Sequence, residues 1–205
     1  DLLKKRDLVG KEQFQWLDKN IDNKFKWSII GQQVLVAPTV LPDIFLKIDK
    51  SKIPEYLHKY FKIAGMNIPY NTDSWDGYPR EREKLYKILS KSQSNIVLTG
   101  DTHNSWISNL YNQNNEFIGV EIATPAISSP NTVDTFGSIT KDIDDDFVKN
   151  NKHLKWTNGL NKGYVKLTIT RDNIKAKFLY VSTVKSKDYY LIDKNQFIVQ
   201  HKQPI

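Results

Sequence analysis

The chain has 205 residues, 39% hydrophobic and 12% aromatic, which suits one globular domain with a substantial core and excludes a disordered chain. It has no cysteine, which excludes disulfides and thiolate metal ligands within it, and no apolar run near the roughly 20 residues that cross a bilayer. The formal net charge of +7 comes from scattered Lys with only Arg6, Arg80, Arg82 and Arg171 beside them; that spread serves solubility and predicts no specific nucleic-acid partner.

In chain order, Phe14, Leu17 and Ile21 recur at helical spacing and predict an amphipathic helix over 10–21. A strand is predicted over 26–30, ended by Gly31, with Gln32 and Gln33 at its terminus. Amide side chains there suit a phosphate or a metal-held water, and equally the hydrogen bonds of a buried turn. Pro38, Pro42, Pro54 and Pro69 break the stretch 37–70 into an excursion with one short helix over 55–61, in which His58 reads as a surface or packing residue. Pro79 suits the first turn of a helix that continues through Leu85, Ile88 and Leu89. Asp76 precedes that helix, either as a carboxylate stabilised by its N-terminus or as a contact to a bound ion. Arg80 and Arg82 carry the fork that clamps a phosphate, with Glu81 and Glu83 as alternative partners.

The β-branched run Asn95-Ile96-Val97-Leu98 reads as a buried strand, and Gly100 is expected to let the backbone turn sharply where it stops. Asp101 and His103 then emerge together at the sheet edge. A carboxylate oxygen plus an imidazole nitrogen suits a mid-series metal such as zinc, iron or manganese, which activates water for hydrolysis. Two ligands do not complete a site, and the alternative is an Asp capping a turn beside a partly exposed His. Strands over 108–111 and 117–123, joined by an Asn-rich turn, predict a hairpin. Thr124-Pro125 and Ser128-Ser129-Pro130 form a rigid loop whose hydroxyls line a pocket or cap turns. The cluster Asp142 to Asp146 lacks the Gly and Glu of a calcium loop and reads as a solvated helix start. A hairpin over 163–170 and 174–181 and a short strand over 197–199 close the chain, and the absence of repeats or low-complexity linkers predicts a single segment, 1–205.

Taken together and in order, Gly31-Gln32-Gln33-Val34, the stretch from Asp73 to Arg82 through Trp75-Asp76-Gly77-Tyr78, Leu98-Thr99-Gly100-Asp101-Thr102-His103-Asn104-Ser105-Trp106, and Ala123-Thr124-Pro125 through Pro130 resemble the PhoD-like alkaline phosphatase/phosphodiesterase family. Leu8-Val9-Gly10 and Trp16-Leu17 upstream, with Leu154-Lys155-Trp156, Lys162-Gly163-Tyr164-Val165 and Val181-Ser182-Thr183-Val184 downstream, extend the resemblance over nearly the whole chain.

The resemblance implies an α+β fold, the C-terminal part of a calcineurin-like four-layer α/β/β/α sandwich with mixed sheets. Because no Asp-x-His, Gly-Asp-x-x-Asp or Gly-Asn-His run precedes Gln33, the chain is expected to be the C-terminal half of the metallophosphatase domain, with its N-terminal half as the missing partner. The implied activity is metal-dependent hydrolysis of a phosphomonoester or diester, with metal-held water or hydroxide attacking. Asp101 and His103 are implied as catalytic metal ligands, and Gln33, Asp76, Arg80 and His153 as substrate-binding candidates. Iron and calcium are the implied ions, zinc or manganese the alternatives, and the location periplasmic or extracellular. The competing expectation is a catalytically incomplete fragment, or a polyanion-binding module of the same fold.

Overall fold

The computed structural model describes residues 6–52 and 54–205. Five strands, β1 (Ser28–Gly31), β2 (Asn95–Thr99), β3 (Ser105–Tyr111), β4 (Phe117–Ala123) and β5 (Leu154–Asn158), form a mixed sheet in the spatial order β1-β2-β4-β3-β5. The β1–β2 and β2–β4 pairs are parallel, while β3 runs antiparallel to both β4 and β5. A second sheet of β6 (Gly163–Ile169), β7 (Asn173–Val181) and β8 (Leu191–Gln200) is antiparallel throughout.

Alternation along the strands sorts the core into layers. Ile96, Ile107 and Ile122 point at Ile174, Ala176, Phe178 and Tyr180 of β7, so the two sheets pack face to face. Their odd and even neighbours Val97, Trp106 and Ala123 point the other way, into the helices. There, α1 (Lys11–Asn20) and α3 (Pro79–Leu89) cover one half of the sheet with Phe14, Leu17, Leu85, Tyr86 and Leu89. The other half is covered by α5 (Thr140–Asn150), which brings Ile143 and Phe147 against Trp106, Phe45 and Phe61. Phe61 belongs to α2 (His58–Ile63), and the short α4 (Thr132–Phe136) leads into α5. The architecture is thus α+β, helices on a mixed sheet on an antiparallel sheet, giving three of the expected four layers among the described residues.

Expected boundaries hold closely for α1, α3, β2, β4, β6 and β7. β3 starts earlier, at Ser105, because the unread β5 lies beside it and pairs Asn158 with Ser105. The last strand is ten residues long, not three: the polar run Asp193 to Gln196 hides it from a hydrophobicity reading, yet β8 is an outer strand whose backbone pairs along the whole of β7. The acidic cluster does open a helix, with Asp142 and Asp145 exposed, but it is solvated only in part. It lies within α5, where Asp144 is buried and accepts the Gly159 N–H at 2.8 Å, and Asp146 accepts the Ile44 N–H at 2.7 Å. Both carboxylates satisfy loop amides that would otherwise be unpaired.

A second buried acid organises the centre. Glu121 of β4 is fully buried, and its two carboxylate oxygens accept the Val36 and Ala37 amides at 2.7 and 3.0 Å. This draws residues 34–38 back along the helix-side face of the sheet. Burial pushes the Glu121 carboxyl up from 4.5 to about 7, against the pull of those two amide donors. Burial likewise pushes Asp144 from 3.8 to about 6. Folded carboxyls that hold protons more tightly than unfolded ones stabilise the fold at low pH, and that stabilisation is lost as pH rises through the folded pKa. Tm is therefore expected to fall between about pH 4 and 7, apart from any global acid unfolding, over the window set by these two groups. Glu121→Gln should flatten the slope while costing about 1–3 kcal/mol through the lost acceptor; thermal melts of both proteins across pH check this.

Candidate active site

Because β1, β2 and β4 are parallel, their carboxyl ends collect on one edge of the sheet. The Gln32 N–H bonds the Leu98 carbonyl at 3.0 Å, Gly100 N–H bonds the Gln33 carbonyl at 3.1 Å, and Thr124 N–H bonds the Thr99 carbonyl at 3.0 Å. Gln33, the Gly100–Asn104 loop and the Thr124 loop are thereby stitched together.

The sharp turn expected at Gly100 is made by the two candidate ligands themselves. Asp101 has φ 69 and His103 φ 64, both left-handed, whereas Gly100 is not. Each such residue costs about 1–2 kcal/mol, least for Asp, whose short side chain tolerates the region. The loop is held in this form from beneath. Thr102 N–H closes onto the Gly100 carbonyl at 2.8 Å, and the Thr102 hydroxyl accepts the Trp106 indole N–H at 2.7 Å. Trp106 is itself buried, with its ring edge-on to Phe147 at 5.1 Å. A core aromatic thus offsets strain in an exposed loop.

His103 is oriented more specifically. Its Nδ1 lies 2.6 Å from the Pro130 carbonyl oxygen, which can only accept, so Nδ1 carries the proton. The neutral ring then keeps its lone pair on Nε2, which has no hydrogen-bond partner among the described residues. This is the arrangement by which a backbone carbonyl fixes a metal-binding imidazole. Asp101, two residues earlier, is exposed. Both residues fit a metal by donor chemistry, although among the described residues no group of three or more His, Cys, Asp or Glu side chains is placed to hold an ion.

Of the other candidates, only Gln33 shares this end of the sheet; its side chain is exposed, while Gln32 turns inward so that its Oε1 accepts the Trp75 indole N–H at 3.1 Å. Asp76 is buried and committed to structure. Its carboxylate accepts from Arg82 at 2.8 Å and from the Thr39 N–H at 2.9 Å, while burial raises its pKa against the pull of Arg82. Arg80 lies exposed in a shallow groove with Asn112, Gln113 and Asn114, at the turn between β3 and β4. His153 lines another depression with Asn109 and Tyr111; burial lowers its pKa, opposed by a ring N–H bond to the Pro38 carbonyl. Since β3 runs away from the loop, Arg80 and His153 lie toward its far end, His153 with its carbonyl bonded to the Asn109 N–H and Arg80 beside the Asn112–Asn114 turn. The physical reason is strand polarity, which spacing in sequence does not reveal. Glu121 and the Pro130 carbonyl carried no sequence signal, one being an isolated acid in an apolar strand and the other a backbone atom.

Residues 2–178 match the family model described as PhoD-like phosphatase. Among curated proteins, the chain is 29% identical over 205 residues to alkaline phosphatase D of Bacillus subtilis (strain 168), an alignment covering 97% of this chain and 31% of that protein. Among solved structures, it superposes on one titled "Structure of PhoD" with a TM-score of 0.72 and 28% identity, over 96% of this chain and 34% of that one. The chain therefore spans about a third of the length of each of these relatives.

The loop's support predicts a contrast in stability. Asp101→Ala removes an exposed side chain and should cost about 1 kcal/mol or less, the left-handed penalty of Ala over Asp. Trp106→Phe removes buried area and the donor to Thr102 and should cost about 2–3 kcal/mol. Urea unfolding of the two variants distinguishes them.

Proposed function

Because the chain belongs to the PhoD-like phosphatase family, we propose that it carries part of the active site of a metal-dependent phosphoester hydrolase, acting on a monoester or diester with water as the attacking group. The observation that carries this reading is the 2.6 Å contact of His103 Nδ1 with the Pro130 carbonyl, which leaves Nε2 without a hydrogen-bond partner among the described residues, two positions along the chain from the exposed Asp101. Asp101 and His103 would hold the ion. When bound, it supplies a Lewis acid that lowers the pKa of water and neutralises charge on the phosphoryl oxygens.

The chain's own residues do the positioning. The Pro130 carbonyl keeps the imidazole proton on Nδ1 and away from the ligand face. Gln33, stitched to Gly100 through its carbonyl and exposed, would offer its carboxamide N–H to a phosphoryl oxygen. No protein nucleophile is required. A carboxylate oxygen suits calcium and an imidazole nitrogen suits iron, zinc or manganese, so the pair is compatible with the iron and calcium of the resemblance. Asp76, Arg80 and His153 are left outside the proposed site. Export to the periplasm or the cell exterior is part of the same proposal; no helix among the described residues is long and apolar enough to cross a membrane.

The two-donor set supports a second reading, that this chain alone is catalytically incomplete and that further ligands belong to the portion of the relatives that it does not match. Hydrolysis of an aryl phosphodiester and monoester, assayed with calcium plus iron or manganese, separates the two. Turnover that a chelator abolishes and that falls at least about 100-fold in Asp101→Ala establishes the hydrolase. Silence in this chain, with activity gained when the matching upstream portion is supplied, establishes the half-site.

A further inference from the structure

The Pro130 carbonyl is a backbone atom in a loop of Ser and Pro, and something must hold it against His103. The residue next to His103 does so indirectly. Asn104 is buried, and its side chain grips Thr132 twice: Nδ2 donates to the Thr132 hydroxyl at 2.7 Å, and Oδ1 accepts the Thr132 N–H at 3.3 Å. Thr132 follows Pro130 by two residues and opens α4. The intervening Asn131 caps that helix reciprocally, accepting the Asp134 N–H and donating its own N–H to the Asp134 carboxylate at 2.9 Å.

The far side of the clasp is equally tied. The Val133 N–H bonds the Gly159 carbonyl at 3.0 Å, and a Cβ on Gly159 would lie 2.7 Å from the Thr132 Cβ, so α4 is seated directly on that turn. Lys162 pairs with Asp134 and reaches the Asn131 side chain at 3.3 Å. Gly159 is in turn anchored by buried Asp144. The 131–134 segment that follows Pro130 is thus held to Asn104 on one side and to the Gly159–Lys162 turn on the other.

We propose that Asn104 and Thr132 are positioning residues that lock the Pro130 carbonyl onto His103 Nδ1 and so preset the imidazole to present Nε2. The proposal rests on His103 being a metal ligand only for its consequence in binding; the locked ring itself is a property of the metal-free protein.

The test uses the full chain at pH 8.5, where imidazole is neutral. Ring-nitrogen NMR of the metal-free protein reads the tautomer directly, with His103 assigned through His103→Gln. Wild type should show the proton on Nδ1. Thr132→Val, isosteric and lacking only the hydroxyl, should show a mixture of tautomers, and Thr132→Ser should restore the wild-type pattern. Thr132→Ala and Asn104→Ala give the same readout should the valine variant fold poorly. In a parallel titration, zinc affinity is expected to weaken about 10-fold or more in Thr132→Val and to recover in Thr132→Ser. A wild-type ring protonated on Nε2, or one unchanged in the folded hydroxyl-less and Asn104 variants, overturns the proposal. A tautomer that responds as expected in a chain that binds no zinc upholds the lock and removes the metal role instead.

Discussion

Parallel pairing is the constraint on which the site depends. A parallel ladder runs its strands in one direction, so the ends of β1, β2 and β4 must fall on a single edge, and the loops leaving them must meet there. Gln33, Asp101 and Thr124 are 23 to 91 positions apart along the chain, and yet their loops are joined by backbone hydrogen bonds of 3.0 to 3.1 Å between Gln33 and Gly100 and between Thr99 and Thr124. Antiparallel β3 then carries the chain away from this edge, which is why Asn109 and Tyr111 accompany His153 at the opposite end.

Two kinds of support converge on the loop. From below, the sandwich core delivers Trp106, whose indole N–H holds Thr102 between the two left-handed residues. From the side, the clasp of Asn104 and Thr132 delivers the Pro130 carbonyl to His103. The first compensates for backbone strain and the second selects one ring nitrogen. Neither contact belongs to a sheet ladder; both act on the loop itself.

The buried carboxylates Glu121 and Asp144 belong to the same construction at one remove. Each accepts backbone amides of an irregular segment, residues 36–37 in one case and Gly159 in the other, that has no ladder partner of its own. An acid is a poor core residue in isolation, because burial opposes its charge, but it offers acceptor capacity that no apolar side chain has. Holding these segments sets the course of the chain away from Gln33 and the seat of α4 beneath Pro130.

Much of the fold was legible from local sequence. Helical spacing of Phe14 and Leu17, Pro79 at a helix start, the apolar run before Gly100 and the alternation of β7 each encode their element through contacts only a few residues long. The motif order also carried the family, and Gly-Asp-x-His carried the two candidate ligands. The polar outer strand β8, the intervening β5 and the inward turn of Asp144 were not legible, since each exists because a partner from far along the chain satisfies its backbone or side chain. The same division holds at the site. Sequence by itself determined which donors are available, because side-chain chemistry is local; only tertiary structure decided that Asp101, His103 and Gln33 share an edge while Arg80 and His153 do not, because strand direction and sheet order are set by non-local pairing.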